Sequence, residues 1–182
     1  MKTLETERLI LRIWRESDLN DFFEYASVEG VGEMAGWMHH ENIETTKEIL
    51  KGFIDRGDEY AIVLKESNKV IGSLGIHKRT LDNDYEAEIQ RTIGYVLSKK
   101  HWGNGFMGEA AREAIKYAFE DLDVDVLWCG HYLINVQSQR VIEKSGFRLY
   151  GDYVFEAKLL NKTFDGKRYI MTKDDYKTLA MN

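Results

Sequence analysis

The stretch TIGYVLSKKHWGNGFMGEA, Thr92 to Ala110, decides how the rest of the chain is read. Ile93, Tyr95 and Leu97 alternate with Thr92, Gly94 and Val96, which is the period of a strand. A short cationic segment follows (Lys99, Lys100, His101), then a glycine-rich turn, then a helical pattern without a break. Strand, glycine turn and helix together describe a phosphate cradle. The first N–H groups of a helix have no intrahelical partners and the helix dipole puts partial positive charge there, so an anion is favoured. Gly103, Gly105 and Gly108 remove the Cβ atoms that would keep a pyrophosphate from those amides, and the cationic segment can draw a polyanion in. For three glycines alone, a connector without a ligand is the competing reading.

The common nucleotide signatures fit poorly. GNGFMG has the spacing G-x-G-x-x-G, yet it lies in mid-chain, and about 20 residues further on there is a strand with no isolated ribose-binding acid after it. A mononucleotide P-loop ends in G-K-[ST], whereas Gly108 is followed by Glu109 and Ala110. The phosphate-bearing ligand is therefore expected to be neither NAD nor ATP.

The run WGNGFMGEA, Trp102 to Ala110, resembles the pyrophosphate-binding segment of the GNAT acyltransferases, in the form carried by the ribosomal-protein N-terminal acetyltransferases of the RimJ/RimL group. ETERLILR at Glu5 to Arg12, IGY at Ile93 to Tyr95 and NVQSQRVIEKSGF at Asn135 to Phe147 agree with it, in the family's order and over most of the chain. The resemblance implies a GNAT fold of mixed α/β and α+β character: a central sheet of about six to seven strands with about four helices on both faces. It also implies acetyl-CoA as cosubstrate, with no metal, and a primary amine as acceptor. The acceptor expected is a ribosomal-protein N-terminus or a small amine.

Carried over by position, the resemblance assigns the coenzyme to Tyr95, Val96, Leu97, Trp102, Gly103, Asn104, Gly105, Phe106, Met107, Gly108, Asn135 and Ser138. The main-chain N–H near Val96 is expected to hold the oxyanion. Ser138 matches the serine proposed to protonate the departing sulfur, and it also reads as an ordinary helix-start residue; the tyrosine used by many GNAT enzymes is replaced by Ile142. Thr92 stands where a glutamate base often precedes I-G-Y, leaving Glu88 further back and Glu156 past G-F as candidate bases or as solvated surface. Trp102 occupies an Arg or Gln position of the general pattern, as it does in this subgroup.

With 182 residues, 43% of them hydrophobic, the chain suits one domain over residues 1–182. No apolar run approaches a membrane span and no charged start precedes an apolar block, so a cytoplasmic location and no membrane partner are expected. The lone Cys129 excludes an internal disulfide, and the five His show no metal-ligand spacing. A net charge of −6 argues against nucleic-acid binding and would suit a cationic acceptor.

Along the chain, Glu7 to Ile13 reads as a strand, and Ser17-Asp18 caps a helix through Leu19, Phe22, Phe23 and Ala26 that Gly30 and Gly32 end. Residues Glu33 to Asn42 are apolar but aperiodic: a packed loop, or one lining a substrate cleft. Ile43 to Arg56 is a helix ended by Gly57, and Tyr60 to Leu64 and Val70 to His77 form a hairpin. A long strand from Glu86 to Leu97 presents Glu88, Gln90 and Thr92 on its polar side. Met107, Ala110, Ala111, Ala114, Ile115 and Ala118 are the buried stripe of the next helix. Then come the strand Val124 to Cys129, a short helix capped by Asn135 and running to Lys144, strands Phe147 to Phe155 and Phe164 to Thr172, and a helix Lys173 to Ala180. An edge strand near Phe164 could pair two copies into a homodimer. A non-catalytic acyl-CoA sensor and a phosphate-binding scaffold are the alternative readings.

Overall fold

Alternation along one central strand divides the core in two. In the computed structural model, which describes residues 1–181, Tyr60 and Ile62 face one apolar cluster while Ala61 and Val63 face another. These residues belong to β3 (Glu59–Leu64), which pairs antiparallel with β2 (Leu9–Ile13) and β4 (Lys69–His77). β1 (Leu4–Glu5) lies outside β2, and β5 (Gln90–Leu97) pairs antiparallel with β4. β6 (Val126–Tyr132) runs parallel to β5, and β8 (Lys162–Thr172) joins it antiparallel with β7 (Arg148–Ala157) outermost. The order is β1-β2-β3-β4-β5-β6-β8-β7.

Helices cover both faces. On the front, α1 (Leu19–Ala26) and α2 (Ile43–Arg56) bury Phe22, Tyr25 and Leu50 with Trp14, Ala61, Val63 and Val70. Asn42 caps α2 through Thr45 N–H at 2.9 Å, and Gly57 ends it in the left-handed region at φ 59°. On the back, α3 (Phe106–Glu120) is the crossover that a parallel pair requires. It buries the stripe read from the sequence, and its alanines let it lie close on the sheet. α4 (Val136–Lys144) packs beside it through Ile142, and α5 (Lys173–Ala180) stacks Tyr176 on Phe119 at 4.9 Å.

Four expectations need correction. Among the described residues the sheet has eight strands and there are five α-helices, because Leu4–Glu5 pairs with β2 and the terminal helix packs as a full element. The first helix stops at Ala26, before its glycines. The strand expected from Glu86 starts at Gln90: the Ile89 N–H is taken by the Asp125 carboxylate at 2.8 Å, so the preceding residues bend away from the ladder. The Phe164 strand is internal, since β8 lies between β6 and β7, so the free edge on that side belongs to β7.

Leu74 sits fully buried in mid-β4 against the back cluster. Leu74→Ala is expected to cost about 2–5 kcal/mol, measured by urea unfolding with an unchanged m-value.

Candidate active site

The parallel pair β5–β6 holds together for only three register positions, ending at Thr92↔Trp128, and beyond that the strands part. Ser98 N–H donates to Ile71 O at 2.8 Å, which fixes the alternation of β5 against β4: Gly94 and Val96 turn their amides toward β4. Tyr95 and Leu97 turn theirs toward the split. The Leu97 carbonyl there accepts Trp102 Nε1–H at 2.8 Å, and the Tyr95 and Leu97 N–H groups face the open cleft. The Val96 N–H therefore points to β4, while the amides of its odd-numbered neighbours face the cleft that Val96 also lines.

The glycine turn closes one end of this split. Gly103 and Gly105 adopt φ +79° and +77°, left-handed values that favour glycine, and α3 starts without a side-chain cap. Gly108 is helical, and its role is spatial: a Cβ there would point toward Arg112. Asn104 Nδ2 donates to His101 O and Trp102 O, bracing the turn. Arg8 clamps it from the bend just before β2, pairing with Glu109 at 2.7 Å, donating to Asn104 O at 3.1 Å and lying 4.5 Å over the Phe106 ring. Burial would raise the Glu109 carboxyl, but hydrogen bonds from Thr6 and Arg8 outweigh it and hold it below its usual value.

The resulting cleft has a volume of about 480 Å³. Tyr95, Val96, Leu97, Trp102, Gly103, Gly105, Phe106, Met107, Gly108, Asn135 and Ser138 all line it, and Asn104 braces it from behind. Its cationic wall is different from the one expected. Lys99 reaches the Glu29 carbonyl and Lys100 pairs with Glu24, so of that segment only His101 lines the cleft. Arg8, Arg112, Arg140 and Lys144 supply the charge, brought in by the bend before β2, by α3 and by α4. The spacing i, i+4 of Arg140 and Lys144 was the available signal for one shared helical face.

A second cleft of about 520 Å³ opens on the other side of Tyr95 and Ser138. Met34, Ala35, Tyr95, Asn135 and Ser138 line both. At this junction the Tyr95 hydroxyl lies 3.0 Å from Ser138 Oγ, and Asn135 caps α4 through Ser138 N–H at 3.1 Å. Burial, reinforced by the nearby Cys129 thiol, pushes the Tyr95 phenol well above its usual value, so it stays protonated. Glu156 is exposed on the wall of the second cleft, beside Lys158 and Leu159. Glu88 lies exposed in the bend before β5 and reaches neither cleft. Thr92 is buried and donates to Arg79 O at 2.8 Å, and Ile142 belongs to the core.

The aperiodic segment after α1 is the lid of this junction. Asn135 Nδ2 donates to Met34 O at 3.3 Å, and Met34 and Ala35 reach both clefts. Glu33 ties the segment together by accepting from Gly30 N–H, His39 N–H and His39 Nδ1. Burial opposes ionisation of Glu33, yet these hydrogen bonds outweigh it and hold the carboxyl at about 2, while the same contact raises His39. Among the described residues no group of His, Cys, Asp or Glu could hold a metal ion, and no helix is long and apolar enough to cross a membrane.

Residues 8–148 match the family model described as acetyltransferase (GNAT) domain. The chain belongs to the GNAT acetyltransferase family. It is accordingly an N-acetyltransferase, and enzymes of this family use acetyl-CoA. The chain is similar to the uncharacterized N-acetyltransferase YoaA of Bacillus subtilis (strain 168), with 28% identity over 153 residues, 81% of this chain and 84% of the relative. Its fold matches that of an acetyltransferase (GNAT family) from Bacillus anthracis with a TM-score of 0.83, at 23% identity over 95% of this chain and 99% of that one. The ribosomal-protein-S5-alanine acetyltransferase from Vibrio fischeri shares the fold with a TM-score of 0.72, at 19% identity over 97% and 99%. The site fits the coenzyme: backbone amides at a helix start for a diphosphate, cations beside them, and open strand amides for an extended amide arm.

The Glu33–His39 pair sets a pH window for the lid. The raised His39 stabilises the pair below its ordinary 6.5 and loses that contribution as pH rises through the higher folded value. The depressed Glu33 contributes above 4.5 and loses that as pH falls toward about 2. Amide exchange of residues 30–40, corrected for intrinsic rates, is expected to be slowest between these limits and to quicken above neutrality. Glu33→Gln should remove that pH dependence.

Proposed function

We propose that this GNAT enzyme transfers the acetyl group of acetyl-CoA to a protein N-terminal α-amine, by direct attack with both substrates bound. The meeting of two clefts at Tyr95, Asn135 and Ser138 carries this reading, because it lets a thioester reach an acceptor from the opposite side. The amides from Gly103 to Gly108 hold the diphosphate, with Arg112, Arg140 and Lys144 balancing the remaining phosphate charge. The Leu97 N–H binds the pantetheine arm. The Tyr95 N–H faces the carbonyl that becomes the oxyanion, a role whose loss costs roughly 3–4 kcal/mol of barrier in other enzymes.

Ser138 protonates the departing sulfur. A thiol of pKa near 8.5 leaves readily as thiolate, so a weak acid is enough, and Tyr95 holds the serine in place. The acceptor class follows from energetics. An α-amine of pKa about 8 costs about 1 kcal/mol to deprotonate at neutral pH, whereas a lysine costs over 4. The likeness to the Vibrio fischeri ribosomal-protein-S5-alanine acetyltransferase supports a ribosomal-protein N-terminus, and a small amine is the other acceptor to include in tests. This chemistry belongs in the cytoplasm, where acetyl-CoA and nascent chains meet.

Acetyl-CoA at 100 times its Kd is expected to stabilise the protein by about 2.7 kcal/mol, or roughly 5–10 °C in Tm, whereas pantetheine without the diphosphate should give no shift. Gly108→Leu fills the cradle without backbone strain and should abolish that shift while leaving the free protein's Tm nearly unchanged. A thiol-release assay over N-terminal peptides and small amines tests the acceptor. Turnover confined to lysine side chains or to alcohols would overturn the α-amine assignment.

A further inference from the structure

The second cleft, where the acetyl-transfer reading above seats the acceptor, presents charge of one sign. The acids and strong bases on its lining are Arg79, Glu156 and Lys158. Phe155 lies so close over Gly130 and Gly166 that a Cβ on either would meet its ring, and the Ala157 Cβ stands 3.8 Å from where a Cβ on Gly36 would be. Phe155 and Ala157 therefore face the cleft. Side chains alternate along β7, so Glu156 between them is turned to the outer face, where it is exposed. What remains inside is cationic.

Arg79 is held in place by its backbone and leaves its side chain free. Its N–H donates to His77 O at 2.8 Å and its carbonyl accepts from the buried Thr92 hydroxyl at 2.8 Å, which fixes the residue beside β5 while its side chain stays exposed. Among the described residues no carboxylate pairs with Arg79 or with Lys158. Tyr132, 8% exposed, also lines the cleft. Its hydroxyl lies 2.8 Å from where a Cβ on Gly36 would stand and has no hydrogen-bond partner among the described residues. Burial raises this phenol and the positive charge of Arg79 opposes the rise, so the hydroxyl stays a donor and the guanidinium is near enough to act on it.

Two cations and a buried donor, none with an acceptor, suit an anion. The phosphates of the coenzyme have their own set in the first cleft, Arg8, Arg112, Arg140 and Lys144, none of which lines the second. We propose that Arg79, with Tyr132 and Lys158, selects acceptors that carry a carboxylate close behind the attacking amine: polypeptide N-termini with Asp or Glu as the second or third residue. This rests on the α-amine reading above.

Strand spacing sets the distance. The nitrogen attacks at the junction beside Tyr95, whereas Arg79 is anchored beside Thr92, three strand residues or roughly 10 Å back along β5. An extended peptide covers that span in two to three residues at about 3.5 Å each. The carboxylate of a free amino acid, one carbon from its amine, falls short of it. The chain as a whole carries a net charge of −6, so an acidic acceptor is repelled at long range and held only at this cleft, which makes the selection local and sensitive to salt.

Thiol release from acetyl-CoA with paired peptides, alike except for Asp or Asn at the second or third residue, tests this on the unaltered protein. The Asp peptides are expected to show a kcat/KM about tenfold higher, most of it in KM, which is the scale of charge-assisted hydrogen bonds. That advantage should shrink as salt is raised. Arg79→Ala is expected to erase the difference with the acetyl-CoA thermal shift intact, and Arg79→Glu to turn the preference toward a Lys peptide of the same design. An advantage below about twofold in the parent, or one that survives in Arg79→Ala, would overturn the assignment. So would a free acidic amino acid that outruns the peptides. A parent that binds acetyl-CoA but acetylates no peptide is instead a failure of the α-amine reading. Calorimetric binding of the same peptides to the CoA complex then decides independently: tighter binding of Asp than of Asn peptides that Arg79→Ala removes supports the selection, and equal affinities refute it.

Discussion

The parting of β5 from β6 after Thr92↔Trp128 is the constraint on which the site depends. A strand that loses its neighbour leaves N–H and C=O groups without partners, and buried backbone polar groups are costly to leave so. Here the Leu97 carbonyl is satisfied by the Trp102 indole, while the Tyr95 and Leu97 N–H groups face a cleft. The parallel pairing itself forces a crossover, and α3 supplies it by starting at the mouth of the split. The glycine turn at the helix start and the open strand thus share one topological cause.

What keeps this geometry in place is a set of long-range clamps. Arg8, just before β2, grips Glu109 and Asn104, tying this segment to the glycine turn about 100 residues further on. Glu33 knots the lid to itself, and Asn135 ties the lid to the start of α4. Most of these groups are partly exposed, so each ion pair adds little to stability on its own. Their effect is positional: they set where the two clefts meet.

The middle of the β4–β5 pair is opened by subtraction. Gly75 and Gly94 face each other, and the missing side chains admit the Glu59 carboxyl and the His77 ring over one glycine and leave the ring against the other. A carboxyl taken out of water without a close cation holds its proton, and a ring in the same setting gives its proton up. Sheet register, rather than any local motif, brings these two titratable groups together.

Much of the architecture was legible in the residues themselves, because it rests on short-range physics. Alternation marked β3 to β5, the alanine stripe marked the close-packed face of α3, and Gly57 and Asn42 marked the ends of α2. The glycine turn leading into a helix was legible as well, and unpaired amides at a helix start favour an anion wherever they occur. Tertiary structure decided the rest. Which amides of β5 are free depends on the Ser98–Ile71 bond, an alternation that a one-residue shift would invert. Whether Lys99 and Lys100 meet phosphate depends on Glu29 and Glu24, about 70 residues away along the chain. The cationic wall of Arg8, Arg112 and Arg140 and the pairing of Glu59 with His77 come from contacts between strands and helices distant in sequence, which periodicity and spacing do not encode.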